Sequence, residues 1–150
     1  MKLKHTQKGT STVEFAMILP FLLIIFFGIM EFGILLYDKA VITNASREAA
    51  RSGIAFKSPK LSNSAIKQVA VDYASNYLIS SSSVKLSAAD INVLPATPLS
   101  VATISGTPLT VGITYPYTFF VFGNLFNAYM NGSFTDNQII LSATTVMNHE

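Results

Sequence analysis

The sequence predicts an α+β fold, in which a long N-terminal transmembrane α-helix precedes a small domain with one helix packed on an antiparallel β-sheet. Three observations predict it: a long apolar run near the N-terminus, a helical stripe of apolar residues after it, and alternating, strand-like segments in the second half. The 150 residues are 50% hydrophobic, which is high for a soluble protein. Much of that excess lies in the first run.

The apolar run from Phe15 to Tyr37 contains a single charge, Glu31. At a rise of about 1.5 Å per residue, a helix of this length covers the roughly 30 Å of a bilayer's hydrocarbon core. An ordinary secretory signal is shorter and ends in a small-residue cleavage site, and none follows at residues 38–43. Small and apolar residues instead recur on one face, so we expect a retained helix over residues 10–56 with its membrane span at about 15–37.

The charge distribution excludes one class of partner but does not fix the topology. Lys2, Lys4 and Lys8 favour a cytoplasmic N-terminus, yet four further Lys or Arg residues follow soon after the span. Without the first nine residues, seven basic residues stand against eight acidic ones, a net charge of −1, so nothing supports a nucleic-acid surface. The absence of cysteine excludes disulfides and thiolate metal sites.

Residues 57–150 predict a small domain that begins with a helix. Pro59 and the Ser/Asn cluster after it break the first helix, and an apolar stripe predicts a second one from about Ser64 to Ile79. The stripe that we expect in the core consists of Ile66, Val69, Tyr73, Tyr77 and Leu78.

Strand-like segments follow a serine-rich joint, at residues 91–94, 99–104, 109–117 and 138–147. The Ser-Gly-Thr-Pro stretch at 105–108 fits a hairpin connection, and Val111, Ile113 and Tyr115 alternate as in a half-buried strand. About 90 residues give a domain of only modest stability. We therefore expect the anchor helix to complete its core.

The segment at residues 117–130 is unusually aromatic and contains no charge. It is either an exposed surface that docks on another protein or on the membrane, or a buried flap. The flap is the preferred interpretation.

Sequence motifs surround the apolar run. Gly9 ends a short basic leader, and Glu14 is the fifth residue after it. The stretch GTSTVEFAMILPFLLIIFFGIMEFGILLYDKAVITNASREAARSG resembles the TadE-like pseudopilins of tight-adherence (Flp-type) pilus systems. The resemblance lies in Val-Glu-Phe-Ala, Pro20, the block Glu31-Phe32-Gly33 and the Ala-Ser-Arg-Glu-Ala-Ala-Arg tract, and it covers roughly the first third of the chain.

The resemblance implies a pilin-like fold and a minor pseudopilin that prepilin peptidase cuts between Gly9 and Thr10, which makes residues 1–9 a leader peptide. It implies a single-pass protein of the bacterial inner membrane with a cytoplasmic N-terminus and an extracytoplasmic domain. The implied partners are the peptidase, other pilins and pseudopilins, inner-membrane assembly proteins and the lipid bilayer. Thr10 departs from the Phe or Met often found at the first mature position of type IV pilins, so the resemblance does not imply that Thr10 is N-methylated.

Cleavage would also explain the acid at the start of the run. Thr10 would gain an α-amino group, largely protonated near neutral pH, four residues from Glu14, whose carboxylate is costly in lipid unless it is paired. By resemblance to pilins, Glu14 with its neighbour Phe15 brings a new subunit into register with the N-terminus of the next. The alternative is that Glu14 is merely the first polar residue of an anchor, and that its carboxylate snorkels to the membrane–water interface.

Other residues of the motif belong to the membrane helix. Glu31 lies 17 residues beyond Glu14, about 25 Å along the axis and near the opposite face of the bilayer. It either binds a neighbouring helix or coat protein, or is an interfacial acid, and both interpretations stay open. Pro20 removes one helical hydrogen bond and predicts a kink, whereas Phe32 and Gly33 have no separate role assigned.

The chain contains few residues whose type and spacing suit catalysis. His5 lies in the leader, His149 is next to last, and the aspartates at 72, 90 and 136 lack a paired-carboxylate or metal-ligand spacing. We predict no enzyme, no cofactor and no metal site. Besides a pseudopilin, two functions stay open: an uncleaved single-pass anchor that presents a binding domain, and a secreted binding domain that starts after about Tyr37.

Overall fold

The structure is a computed structural model, and it describes residues 8–55, 60–79, 85–95, 106–123 and 138–149. Two helices, one 3-10 turn and three strands occupy these ranges: α1 (Lys8–Ile54), α2 (Asn63–Tyr77), the turn Ala88–Asp90, β1 (Ile91–Leu94), β2 (Pro108–Thr118) and β3 (Gln138–Asn148). The predicted α+β class is confirmed, with a long apolar helix followed by a helix packed on an antiparallel sheet.

The sheet has the order β1-β2-β3 over the described residues, with β2 in the centre. Val111 of β2 lies opposite Val93 of β1 and Thr145 of β3, and both pairings are antiparallel. Alternate residues of β2 are buried, which confirms the alternation at 111, 113 and 115. The predicted strands at 91–94, 109–117 and 138–147 are confirmed to within one residue. The predicted strand at 99–104 and Ser105 of the hairpin lie outside the described residues.

Helix α1 has two halves with different surroundings. Within the described ranges it is the helix that is long and apolar enough to cross a membrane, and its most apolar window is 0% buried inside the protein. The core helix of a soluble protein would be covered there. The second half packs on the sheet, where Ile42, Ala45, Ala49 and Ala50 are fully buried. The expectation that the anchor helix completes the core of the domain is therefore confirmed.

One face of α1 makes these contacts, because its buried positions recur every three or four residues, which is the period of a helix. The face runs from Glu31 through Asp38 and Ile42 to Ala49. Towards the C-terminal end of α1, this face is made of small residues, which let α1 approach the sheet closely. A side chain at Gly53 would place its Cβ 2.5 Å from Cδ2 of Leu109 and 2.8 Å from Cδ1 of Ile66, too close for either to stay where it is.

Helix α2 begins at a Ser62 cap, whose side-chain oxygen accepts a hydrogen bond from the backbone N–H of Ala65. Its buried face is Ile66, Ala70 and Ala74, so the predicted stripe is partly wrong. Tyr77 is 53% exposed, and it stacks on Tyr73 with ring centroids 5.1 Å apart. Small alanines allow the helix to lie close to α1. Tyr73 and Leu78 are partly buried and pack against the core, as predicted, whereas Tyr77 does not. The helix ends at Tyr77, before the predicted Ile79.

We expect Ala49→Leu to destabilise the protein, because the fully buried Ala49 leaves no room for three further carbons between α1 and the sheet. Overpacking of this kind costs about 1–3 kcal/mol. Ala40→Leu is the matched control, since Ala40 is exposed on the same helix. Thermal unfolding of the protein in detergent micelles measures both. Equal melting temperatures for the two variants would contradict the packing described here.

Candidate functional site

The most densely bonded polar side chain on α1 is Glu31, which is only 4% exposed. Its Oε1 accepts a hydrogen bond from the hydroxyl of Tyr117 at 2.9 Å and another from the backbone N–H of Phe120 at 2.8 Å. Its Oε2 accepts from the backbone N–H of Val121 at 2.9 Å. Three donors of the domain thus hold one carboxylate of α1.

The end of β2 positions these donors. Tyr117 is the last buried residue of the strand, and its side chain points to the face that packs on α1. Beyond Thr118 the chain leaves the sheet, and the next backbone N–H groups point at Glu31 instead of at a strand partner. The ring of Phe119 packs edge to face against Tyr117, with centroids 5.7 Å apart, and so fixes the direction of the turn.

The same turn touches α1 further towards its N-terminus. Ring atoms of Phe122 lie 3.6 and 3.7 Å from the place where a Cβ on Gly28 would be. The ring is therefore within van der Waals reach of the helix at Gly28, and an alanine there would fit as well. The contacts of the domain with α1 therefore extend towards the N-terminus of the helix at least to Gly28, three residues before Glu31.

The energetics of this contact are those of a buried charge. Hydrogen bonds to an ionised group are about twice as strong as neutral ones, and an acid buried without donors is strongly destabilising. Burial, followed by the hydrogen bond to Glu31 and the charge of Glu31, raises the pKa of Tyr117. Its phenol therefore remains a donor at every physiological pH.

A second acid, Asp38, lies two turns further along the same face and is 0% exposed. Its Oδ1 accepts from the backbone N–H of Ile79 at 3.0 Å, which ties the residues after α2 to α1. Its Oδ2 has no hydrogen-bond partner within the described parts of the chain. Burial raises the pKa of Asp38, and the hydrogen bond from Ile79 opposes that effect.

Two further polar contacts join α1 to β3. The ammonium group of Lys39 donates to the backbone carbonyl of Ser142, at the outer edge of the strand. The hydroxyls of Ser46 and Thr145 share a hydrogen bond of 2.7 Å, and Ser46 also donates to the carbonyl of Thr43 in its own helix. The domain is therefore fixed to α1 by polar contacts at several positions along the helix, with apolar packing between them.

His149 is buried at the far end of the sheet, away from Glu31. Its Nδ1 lies 3.2 Å from the ammonium nitrogen of Lys60, and its backbone bonds to Gly106 and Thr107. Burial and the charge of Lys60 lower the pKa of His149, so the neutral ring accepts from the lysine. This contact joins the segment before α2 to the residue that follows β3. Across the described residues, no group of three or more His, Asp or Glu side chains is placed to hold a metal ion.

The other residues singled out from the sequence lie on the outside of α1. Gly9 and Thr10 are in its first turn, and Glu14 and Phe15 follow on its exposed surface. Pro20 lies inside the helix, which continues past it. Phe32 is 64% exposed and Gly33 is exposed too, on the side away from the domain. Glu31 alone among these residues is brought to the domain.

Sequence reasoning missed the partners of Glu31, because two of the three are backbone N–H groups and no residue type marks them. One signal was available. Glu31 and Asp38 are seven residues apart, two helical turns, and the buried positions of α1 continue that spacing. Two acids in register with a buried stripe indicate internal partners. The aromatic segment, of which residues 117–123 are described, supplies the donors for the first acid.

We expect Glu31→Gln to destabilise the docking of the turn by about 1–3 kcal/mol. An amide has one acceptor oxygen, so the NH₂ group of Gln would face a backbone N–H that has lost its acceptor. Thermal unfolding and hydrogen exchange of the Phe120 and Val121 amides measure the effect. Glu48→Gln is the control, because Glu48 is an exposed acid of the same helix. Unchanged exchange at both amides would show that the carboxylate does not hold the turn.

A pH dependence follows from Asp38. Its pKa is raised in the folded state above the ordinary value of 3.8, so the folded protein binds this proton more tightly than the unfolded chain does. The contribution of Asp38 to stability is therefore most favourable at acidic pH and falls as the pH rises through the folded-state pKa. As the pH rises through the folded-state pKa of Asp38, the Asp38→Asn variant should become more stable relative to wild type.

The measurement is the unfolding free energy of both proteins between about pH 4 and pH 8, around the ordinary carboxyl pKa. Asp72→Asn, an exposed change on α2, controls for the loss of one charge. A constant difference between wild type and Asp38→Asn across this range would refute the effect of burial.

Comparison with protein families gives one match, to the family described as TadE-like protein, over residues 9–51. The match starts at Gly9 and ends at Arg51, so it covers almost all of α1 and none of the sheet. Comparison with curated proteins found no match, and comparison with solved structures found none either. The resemblance carried by the sequence motifs is confirmed over this segment: residues 9–51 match the TadE-like family.

Proposed function

We propose that this protein is a minor pseudopilin, or pilin-like assembly protein, of a tight-adherence pilus or a related secretion system. Prepilin peptidase cuts it after Gly9, and α1 then holds it in the inner membrane with the α+β domain outside the cytoplasm. Its partners are other pilins and pseudopilins and the inner-membrane proteins of the assembly machinery. It acts through contacts between helices and not through catalysis.

One observation carries this proposal: the TadE-like match coincides with a helix whose apolar half is left uncovered by its own domain. An uncovered helix of this composition needs lipid or other helices around it. The second half of the matched segment has a different use, because Ala45, Ser46, Ala49 and Ala50 are buried against the rest of the domain. The family segment therefore unites a membrane anchor with the first core element of the domain.

The rigid link between these halves supports an assembly role. Glu31, Asp38 and Ser46 bond the domain to α1 at three heights, so that the domain cannot swing freely about the anchor. A force or displacement applied to the helix in the membrane is passed to the domain outside. An anchor that merely tethers a binding domain needs no such rigidity.

The start of α1 suits the pairing of charges between subunits. Thr10 and Glu14 are one helical turn apart, and Glu14 is exposed with respect to the part of the chain that the structure describes. After cleavage, the new α-amino group of Thr10 carries a positive charge near neutral pH. It pairs with the Glu14 carboxylate of its own chain or of the next subunit, which removes the cost of an uncompensated acid at the membrane surface.

We expect Glu14→Gln to leave the mature N-terminus at Thr10 and to impair pilus assembly. The amide keeps the size of the side chain but has no charge to pair with the new amine. Mass spectrometry of the membrane-extracted protein gives the N-terminus, and electron microscopy of cells that carry only the variant gives the number of pili. Glu48→Gln, which removes an exposed acid from the other half of α1, should assemble pili normally.

Normal piliation with Glu14→Gln would reject the pairing of charges. A wild-type protein that keeps residues 1–9 would reject processing and favour the uncleaved anchor with a binding domain. A wild-type protein that begins after about Tyr37 would be a secreted domain, and α1 would then have no role in a membrane.

A further inference from the structure

The turn that holds Glu31 lies beside the part of α1 that crosses the membrane. If the hydrocarbon core begins at Phe15, directly after Glu14, about twenty helical residues are needed to cross it. The crossing then ends near Ile34. Gly28 and Glu31, which contact Phe122 and the neighbouring N–H groups, are both inside that limit.

The exposed side of α1 agrees with this depth. Ile29, Met30 and Phe32 are large apolar residues, and all three are exposed at the height where the turn covers the opposite side. Exposed apolar residues continue up to Tyr37. At this height, one side of the helix therefore faces lipid while the other is covered by the domain.

At the end of the domain nearest the membrane, most of the described residues are apolar, and we call these apolar residues the membrane-proximal rim. It consists of the turn and the start of β3: Phe119, Phe120, Val121, Phe122, Ile139 and Ile140. The turn residues are half-buried, and Ile139 and Ile140 are exposed. Described residues of the opposite end include Lys60, Asn148 and His149. Leu94 and Val146 are exposed towards that end as well, so the rim is set apart by its position beside Gly28 and Glu31 of α1.

The hydrogen bonds of Glu31 solve a problem that exists only in a low-dielectric environment. A turn that enters hydrocarbon cannot leave its backbone N–H groups without acceptors, and an acid there cannot be left without donors. Phe120 and Val121 donate to Glu31, so each side supplies what the other lacks. The turn can therefore enter hydrocarbon with these two N–H groups satisfied.

We propose that the membrane-proximal rim is a lipid-binding surface, immersed with Phe119–Phe122 in the leaflet on the domain's side of the bilayer. The partner is the acyl chains and the glycerol region of phospholipid, which favour aromatic rings at this depth. The rim fixes how far the domain stands from the membrane. The inference rests on α1 spanning the bilayer, as in the proposed function, and it adds a second contact with lipid.

The test uses tryptophan, which the chain lacks, as a probe of depth. Phe120→Trp and Phe122→Trp are single variants in the rim. Phe21→Trp places the probe on the exposed surface of the span, and Val146→Trp places it on the exposed end of β3 that is away from the rim. Each full-length variant is reconstituted into phosphatidylcholine vesicles whose acyl chains are brominated either near the carbonyl or near the methyl end. Bromine quenches tryptophan fluorescence only at close range.

We expect both rim probes to lose fluorescence, and Phe120→Trp, at the level of Glu31, to lose more with bromine near the carbonyl than near the methyl end. Phe21→Trp should be quenched too, and Val146→Trp should keep its fluorescence in both kinds of vesicle. Circular dichroism checks that each variant is folded, and the two rim probes check each other. The vesicles hold no other protein, so quenching identifies lipid as the partner.

Two results would overturn the proposal, and they have different meanings. Rim probes as little quenched as Val146→Trp, beside a quenched Phe21→Trp, would show that the domain stands clear of the membrane. The rim would then be free to bind another protein, and the membrane anchor of the proposed function would stand. An unquenched Phe21→Trp would reject the span itself and, with it, both the inference and the anchor.

Discussion

The contact between Glu31 and the end of β2 decides how the two parts of this protein are joined. A carboxylate on an apolar helix and two backbone N–H groups beyond a strand are each costly when buried alone. Together with the hydroxyl of Tyr117 they satisfy one another. The domain therefore has one favourable position along α1, because displacement by a single helical turn would leave the acid and both N–H groups without partners.

The rest of the packing is consistent with that position. From Glu31, the buried face of α1 passes through Asp38 to small residues that let the sheet and α2 come close. The small residues give close contact, and the acids determine the register in which the contact is made. Apolar packing alone would tolerate some sliding of helix on sheet, because it has little direction. Hydrogen bonds to buried acids would not.

This arrangement makes α1 a continuous element that serves two environments. Its first half has an uncovered apolar surface, and its second half is a core helix of the domain. The TadE-like match covers both halves and ends at Arg51, although Gly53 and Ile54 of α1 still pack against the core. In the proposed function, membrane and domain share one rigid helix, so a displacement of α1 in the bilayer is passed to the domain without a hinge.

The sequence by itself determined the elements that depend on local periodicity. The apolar run predicted α1, the alternation at 111, 113 and 115 predicted β2, and the motif around Gly9 and Glu14 indicated the family. It failed where a side chain's surroundings come from distant parts of the chain. Tyr77 was assigned to the core of α2 by spacing, but the alanines of that helix pack closely and exclude it.

Glu31 shows the same limit at the candidate site. The sequence located the acid near one end of the span, and left open a neighbouring helix, a coat protein or the interface as its surroundings. Only the tertiary structure brought residues 86 and more positions away to its carboxylate. Periodicity reports which face of an element is buried, because that depends on neighbours in the chain. The partner of a buried polar group depends on how the elements come together, and backbone donors leave no trace in the pattern of side chains.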